Sequence, residues 1–218
     1  MDLLPADNSG YGTQEYWDER YSKEETFDWF KKYADIKDLI NRFIPNRNSS
    51  IVMLGCGNST LSRDMYDDGY HNIQNIDYSP VVIEKMAQAD AERTGMTWTV
   101  ADIRDLPIPP SSIDVCLDKG TLDALMTTKG LDPWNPPPEM VANVKGEIDE
   151  VVRVLKDGGR MLYLTFGQPH FRKQHLQRPG WVVDVLEVGD GFSYYFYVLR
   201  REGVPAEGLS AAKEDVEQ

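Results

Sequence analysis

Four apolar residues, Ile51-Val-Met-Leu54, run straight into Gly55-Cys-Gly57, and Asn75-Ile-Asp77 follows roughly twenty residues further on. A short unbroken apolar run is what a strand buried on both faces of a parallel sheet looks like. The two glycines let the backbone turn sharply and lie against a ligand with no Cβ in the way. Ile73 to Ile76 reads as the next strand, so Asp77 stands at its carboxyl end, where its two oxygens can accept from both hydroxyls of a ribose. Alone, the acid would pass for a helix cap and the glycine pair for a tight turn. In this order they predict an open α/β sheet with a nucleoside site at the carboxyl ends of its strands.

The missing third glycine narrows the ligand. A dinucleotide site brings a helix close to a pyrophosphate and places glycine where this chain has Thr60. Asp102-Ile103 follows a third strand, Thr97 to Val100. An acid after the second strand and another after the third suit a ligand with an adenine, a ribose and no phosphate, namely S-adenosyl-L-methionine, with S-adenosyl-L-homocysteine as its product. In this reading Asp102 accepts from the adenine amino group while Ile103 and Tyr78 cover the ring faces.

The rest of the chain continues the alternation. Trp29, Tyr33, Ile36, Ile40 and Phe43 mark one face of a helix that Pro45 and Asn46 stop. Leu61 and Met65 give a first crossover helix ending by Gly69, and Ser79 caps a second that Pro80 opens and that runs to Gly95. Asp114 to Leu117 is the fourth strand. Ile148, Val151, Val152 and Leu155 mark a helix stopping at Gly158-Gly159, and Met161 to Phe166 is the fifth strand. Val182 to Val188 and Ser193 to Leu199, joined through Gly189-Asp-Gly191, read as a hairpin. The expected fold is α/β and Rossmann-like: a mostly parallel seven-stranded sheet with an antiparallel C-terminal hairpin and helices on both faces. One domain spans residues 1–202, with residues 1–45 as a lid and helix over the cofactor, and 203–218 as a flexible tail.

Several strings are more specific than the glycine turn. Gly55-Cys-Gly57-Asn-Ser, Asp77-Tyr-Ser, Asp118-Lys-Gly-Thr-Leu-Asp-Ala124, Asp132-Pro-Trp134, Pro169-His-Phe-Arg172 and Tyr16-Trp-Asp-x-Arg-Tyr21 together resemble the seven-stranded methyltransferases that modify lysines of translation elongation factor 1-alpha. The resemblance covers about Gly10 to Arg200. It implies that Trp17, Tyr21, Trp29, Gly55, Asp77, Tyr78, Asp102, Ile103 and Lys119 line the cofactor, with Gly57 in the same turn. It also implies protein-lysine N-methylation, with elongation factor 1-alpha as the partner; the alternatives are a methyltransferase of the same fold acting on a small molecule or another protein, and a non-catalytic cofactor-binding protein. Two departures stand out: relatives usually carry Glu where this chain has Asp118, and Asn135 to Val144 is its own.

A lysine nucleophile must arrive neutral and aligned, which calls for apolar walls and an acceptor for its N–H. Asp118, Asp123 and the aromatic run Phe192-Ser-Tyr-Tyr-Phe-Tyr197 are the candidates, although an aromatic hairpin is more often sheet core. No dedicated general base is expected, and His170 reads as a loop residue on the acceptor side. Asn135-Pro-Pro-Pro138 looks like an amino-methyltransferase motif but stands in the wrong place and lacks the closing aromatic, so it reads as a stiff exposed loop. Trp134 beside it is a candidate contact for a protein partner.

The formal net charge of −13 favours a basic partner over nucleic acid. Cys56 and Cys116 have neither metal spacing nor the count of a disulfide framework, so both are read as reduced thiols, and no metal site is expected. No run suits a bilayer span or a secretion signal. The expectation is a cytoplasmic monomer.

Overall fold

The computed structural model describes residues 3–130, 132, 134–189 and 192–205. Strands β1 (Ile51–Leu54), β2 (Ile73–Asp77), β3 (Met96–Val100), β4 (Ile113–Lys119) and β5 (Leu155–Thr165) run parallel. Strands β6 (Trp181–Val188) and β7 (Tyr194–Arg201) are antiparallel to each other, and β7 is antiparallel to β5. Their spatial order is β3-β2-β1-β4-β5-β7-β6. The chain leaves β1 toward β2 and β3 on one side and then crosses over to lay β4 on the other. A crevice therefore opens between the carboxyl ends of β1 and β4, the topological switch point at which such sheets bind ligands.

All four residues of β1 are buried, as a central strand with both faces covered requires. One face carries α2 (Tyr33–Phe43) and α3 (Leu61–Asp67), where Tyr33, Ile36, Ile40 and Phe43 meet Ile51, Met53, Val115 and Leu117. The other carries α6 (Pro138–Val154), whose Met140, Val144, Ile148 and Val151 meet Val52, Leu54 and Cys116. Each such side chain contributes about 1.5–3 kcal/mol when fully buried. The amino-terminal helix α1 (Gln14–Lys23) packs against α4 (Pro80–Ala89) through Trp17, Tyr21, Val82, Ile83 and Met86. Two short helices, α5 (Thr121–Leu125) and α7 (Pro169–Leu176), sit at the carboxyl ends of β4 and β5.

The fold agrees with the expected one, while several boundaries move for identifiable reasons. The helix expected from Trp29 begins only at Tyr33, because Phe30 has a left-handed backbone (φ 64°) and breaks the turn. The helix capped by Ser79 stops at Ala89, well before Gly95; Asp90 follows it, buried and paired with Arg63 and Arg93. α6 ends at Val154, and Gly158-Gly159 lies inside β5. A Cβ on Gly159 would stand 3.0 Å from the Asp114 carbonyl oxygen, so that glycine permits the close approach at which the pairing of β4 and β5 shifts register. The prolines read as a stiff loop open α6, with Pro138 in its first turn, and Pro169-His-Phe-Arg172 opens α7. Asp190 and Gly191 of the hairpin connection, Pro133 of the Asp132-Pro-Trp134 string, and 206–218 of the expected tail lie outside the described residues. None of the described helices is long and apolar enough to cross a membrane.

Candidate functional site

A cavity of about 660 Å³ lies at the crevice and extends from Asp77 and Ile103 past Lys119 to Phe166. The backbone dictates its floor. Gly55 (φ 62°) and Gly57 (φ 53°) both adopt the left-handed conformation, and each is also hemmed in. A Cβ on Gly55 would fall 2.2 Å from Thr121 Oγ1, and one on Gly57 would fall 2.9 Å from the Tyr21 hydroxyl. Thr121 Oγ1 donates to the Leu54 carbonyl oxygen at 2.8 Å, which fastens α5 to the end of β1 across the switch point.

Asp77 is buried at the end of β2. Its Oδ2 accepts from the Gly57 N–H at 2.9 Å and its Oδ1 from the Ser79 N–H at 3.0 Å, so the acid ties the glycine turn to the cap of α4. A carboxylate has about four acceptor sites, which leaves each oxygen free for one more donor. Burial pushes its pKa up to about 6 despite these hydrogen bonds. Tyr78 and Ile103 line the cavity beyond it, as expected for apolar walls. Asp102 lines it too, but its oxygens are engaged by the backbone N–H and guanidinium of Arg104, at 2.6–3.1 Å. In this arrangement Asp102 holds Arg104.

The amino-terminal arm closes the cavity from above. Trp17 stacks on Tyr21 with ring centroids 5.5 Å apart and donates its indole N–H to the Tyr11 carbonyl at 2.7 Å. Trp29 meets Trp17 and Tyr11 edge-on. The arm is tied down at Asp28, which accepts from the hydroxyls of Ser59 and Thr60 just after the glycine turn and from Lys119 Nζ at 3.2 Å. Lys119 also donates to the Trp29 carbonyl oxygen at 3.0 Å, so two of its three N–H donors hold the arm. Burial lowers its pKa, and the paired Asp28 opposes that shift.

Trp17, Tyr21, Trp29, Gly55, Gly57, Asp77, Tyr78, Asp102, Ile103, Lys119 and Asp123 all border this one cavity. Asp118 does not. Strand alternation turns its side chain to the face that carries Cys116, where it accepts from the N–H groups of Thr121 (3.1 Å) and Leu122 (3.0 Å) and lies beside Glu147 of α6. It caps α5 from inside the core and cannot border an acceptor channel. The aromatic hairpin is corrected likewise: Phe196 and Tyr197 are sheet core, and no ring of the run borders the cavity.

Asp123 reaches the cavity from α5 while accepting from Tyr163 Oη (3.0 Å), Thr165 Oγ1 (2.7 Å) and Arg172 Nη2 (2.8 Å). Burial opposes the charge on Arg172, but Tyr163 and Asp123 beside it raise its pKa further. This cluster fixes α5, β5 and α7 to one another. Sequence reasoning missed Tyr11, Phe30 and Phe166 in the cavity wall. Phe166 had a usable signal, since it directly follows a strand at its carboxyl end. Phe30 had none, because its place depends on a backbone turn that no local pattern announces.

A family model described as "Methyltransferase domain" matches residues 52–163. Over 203 residues the chain is 37% identical to EEF1A lysine methyltransferase 4 of Bos taurus, covering 91% of this chain and 79% of that protein. It is 35% identical over 196 residues to the eEF1A lysine and N-terminal methyltransferase of Homo sapiens, covering 87% of this chain but only 27% of that longer protein. Among solved structures, the N-methyltransferase NodS from Bradyrhizobium japonicum, in complex with S-adenosyl-L-homocysteine, superimposes with a TM-score of 0.66. That match has 13% identity and covers 89% of this chain and 99% of NodS, and it supports the fold alone.

Proposed function

The chain belongs to the S-adenosylmethionine-dependent methyltransferases, in the branch that holds the EEF1A lysine methyltransferase 4 proteins, and from that membership we propose that it methylates lysine on translation elongation factor 1-alpha. The observation that carries the proposal is that one cavity of about 660 Å³ is bordered both by Asp77 at the end of β2 and by Asp123 and Phe166 beyond β4 and β5. The glycine turn fits the cofactor, since Gly55 and Gly57 hold left-handed backbone at the cavity and the Gly57 N–H fixes the buried carboxylate of Asp77 there.

S-adenosylmethionine supplies, when bound, an electrophilic methyl carbon on a sulfonium, which a neutral amine takes up as the C–S bond breaks and its electron pair stays on sulfur. The residues of the chain bind and orient. Asp77 has one free acceptor position on each oxygen for the ribose hydroxyls. Tyr78 and Ile103 would cover the adenine, and Asp102, which is held by Arg104 in this structure, would be the acceptor for its amino group. Trp17, Tyr21 and Trp29 exclude water, and Lys119 keeps the arm closed by holding Asp28 and the Trp29 carbonyl. On the acceptor side Asp123 offers its remaining acceptor position to the lysine N–H, and the proton lost from the amine goes to solvent, so no general base is assigned.

The net charge of −13 supports a basic protein surface as substrate, and a substrate from the translation machinery would put the chain in the cytoplasm. Mass spectrometry of purified elongation factor 1-alpha after incubation with the chain and cofactor tests the reading. New methyl groups on lysine are expected; modification confined to arginine, to a terminal carboxylate or to a small molecule in extract would overturn it.

A further inference from the structure

Two phenylalanines border the cavity without being core residues: Phe30 is half-buried at the edge of the cluster beneath α2, and Phe166 is exposed. Phe166 directly follows β5 and borders the cavity, yet it remains 49% exposed. Phe30 is one of two described non-glycine residues with a positive φ, a conformation that bulky side chains avoid and that clusters at functional sites. Its ring lies against Gly120, where a Cβ would stand 3.1 Å away, so that glycine leaves room for it. The two rings meet edge to face with centroids 5.6 Å apart and form one continuous wall.

Both rings are anchored through neighbours already placed in the site. The residue before Phe30 is Trp29, whose carbonyl oxygen accepts from Lys119 at the end of β4. The residue before Phe166 is Thr165, whose hydroxyl donates to Asp123 at 2.7 Å. β4 and β5 are adjacent here, with Lys119 paired in register with Leu164. The wall thus stands beside Asp123, whose carboxylate borders the cavity.

Building on the proposed function, we propose that Phe30 and Phe166 are the specificity-determining wall of the acceptor site, along which the lysine stem lies. An apolar wall desolvates the amine and favours its neutral form. The same ring faces tolerate the diffuse charge of a methylated ammonium better than the concentrated charge of an unmodified one, as aromatic cages do. The wall therefore retains a partly methylated lysine for a further round, and the distribution of products reports on it.

The test compares wild type with Phe166→Ala, Phe166→Tyr and Phe30→Gly in the full chain, glycine being able to keep the left-handed backbone. Elongation factor 1-alpha is the substrate, and calorimetry with S-adenosylhomocysteine bound measures its affinity independently of turnover. We expect Phe166→Ala and Phe30→Gly to raise KM for the protein at least tenfold and weaken its binding in parallel. Affinity for S-adenosylhomocysteine should stay within twofold, and products should shift toward monomethyl-lysine. Phe166→Tyr keeps the ring and should restore wild-type behaviour. Unchanged KM, affinity and product distribution in Phe166→Ala, with wild type active, would overturn the wall alone. A wild-type chain that modifies no lysine would overturn the proposed function and the wall with it.

Discussion

The ends of β2 and β4 are built alike and do different work. Each carries a buried acid, Asp77 as the last residue of β2 and Asp118 as the last but one of β4, that accepts two backbone N–H groups and whose pKa burial pushes up, to about 6 for Asp77. Only the neighbour across the sheet face differs. Asp77 opens onto the cavity, whereas Asp118 faces Glu147, whose two oxygens are shut off from solvent and receive no N–H or O–H from the described residues. Burial first, and Asp118 beside it second, raise the pKa of Glu147 as well, and we expect the pair to hold a proton between its two carboxyls, which would supply the missing donor. A perturbed acid at a strand end is therefore no mark of a site by itself; the face of the strand it points from decides.

The sharpest way to break this comparison is to truncate each acid. Asp77→Ala removes the charged acceptors for the ribose, and we expect a loss of about 1.5–3 kcal/mol in affinity for S-adenosylhomocysteine, or roughly 10- to 150-fold. Asp118→Ala leaves the N–H groups of Thr121 and Leu122 unsatisfied and should lower the melting temperature, yet it should keep cofactor affinity within a few-fold. Asp118→Asn, which retains one acceptor, serves if the alanine variant does not fold. Equal losses of affinity from both positions, measured calorimetrically on folded protein, would show that the two ends are not distinct.

A smaller effect distinguishes the core pair by pH. Because the folded state holds protons that the unfolded chain releases above about pH 4, stability falls as pH rises from there through about 7. Glu147→Gln brings its own N–H donor and does not titrate. We expect it to stabilise the fold by at least about 1 kcal/mol at pH 8 and to flatten the decline in melting temperature between pH 5 and 8. Part of the slope should survive, because Asp77 contributes to it with the same sign. A variant less stable than wild type at pH 8 would show that Glu147 is ionised and paired with a group other than Asp118.

What the sequence made legible follows the same division. The cofactor end is local: Gly55, Gly57 and Asp77 sit within two strand-turn units whose spacing is set by one crossover helix, so apolar runs and glycines announce them. Helix faces were legible because buried residues recur with the helical period, as at Ile36, Ile40 and Phe43. The acceptor end joins Phe30, Asp123, Phe166 and Arg172, which are brought together by tertiary packing and share no period. Asp118 and Asp123 lie five residues apart in one string, and only the angle at which α5 leaves β4 decides which of them meets the cavity.

The finest test uses the two roles of Asp77 against each other. Folding favours its protonated form, since burial raises the pKa to about 6, but ribose hydroxyls donate to the ionised form. Ligand binding must then lower that pKa and expel a proton, whereas the proton shared by Asp118 and Glu147, which touches no ligand, should stay where it is. Half a unit below a pKa near 6 only about a quarter of Asp77 is ionised, so affinity for S-adenosylhomocysteine at pH 5.5 should be roughly fourfold weaker than at pH 7.5. Calorimetry near pH 6 in two buffers of different ionisation enthalpy should give different apparent heats, and Asp77→Asn should abolish the difference while Glu147→Gln leaves it intact. Equal heats in both buffers with the wild-type chain would mean that Asp77 is already ionised before binding, and the contrast with Asp118 would then rest on orientation alone.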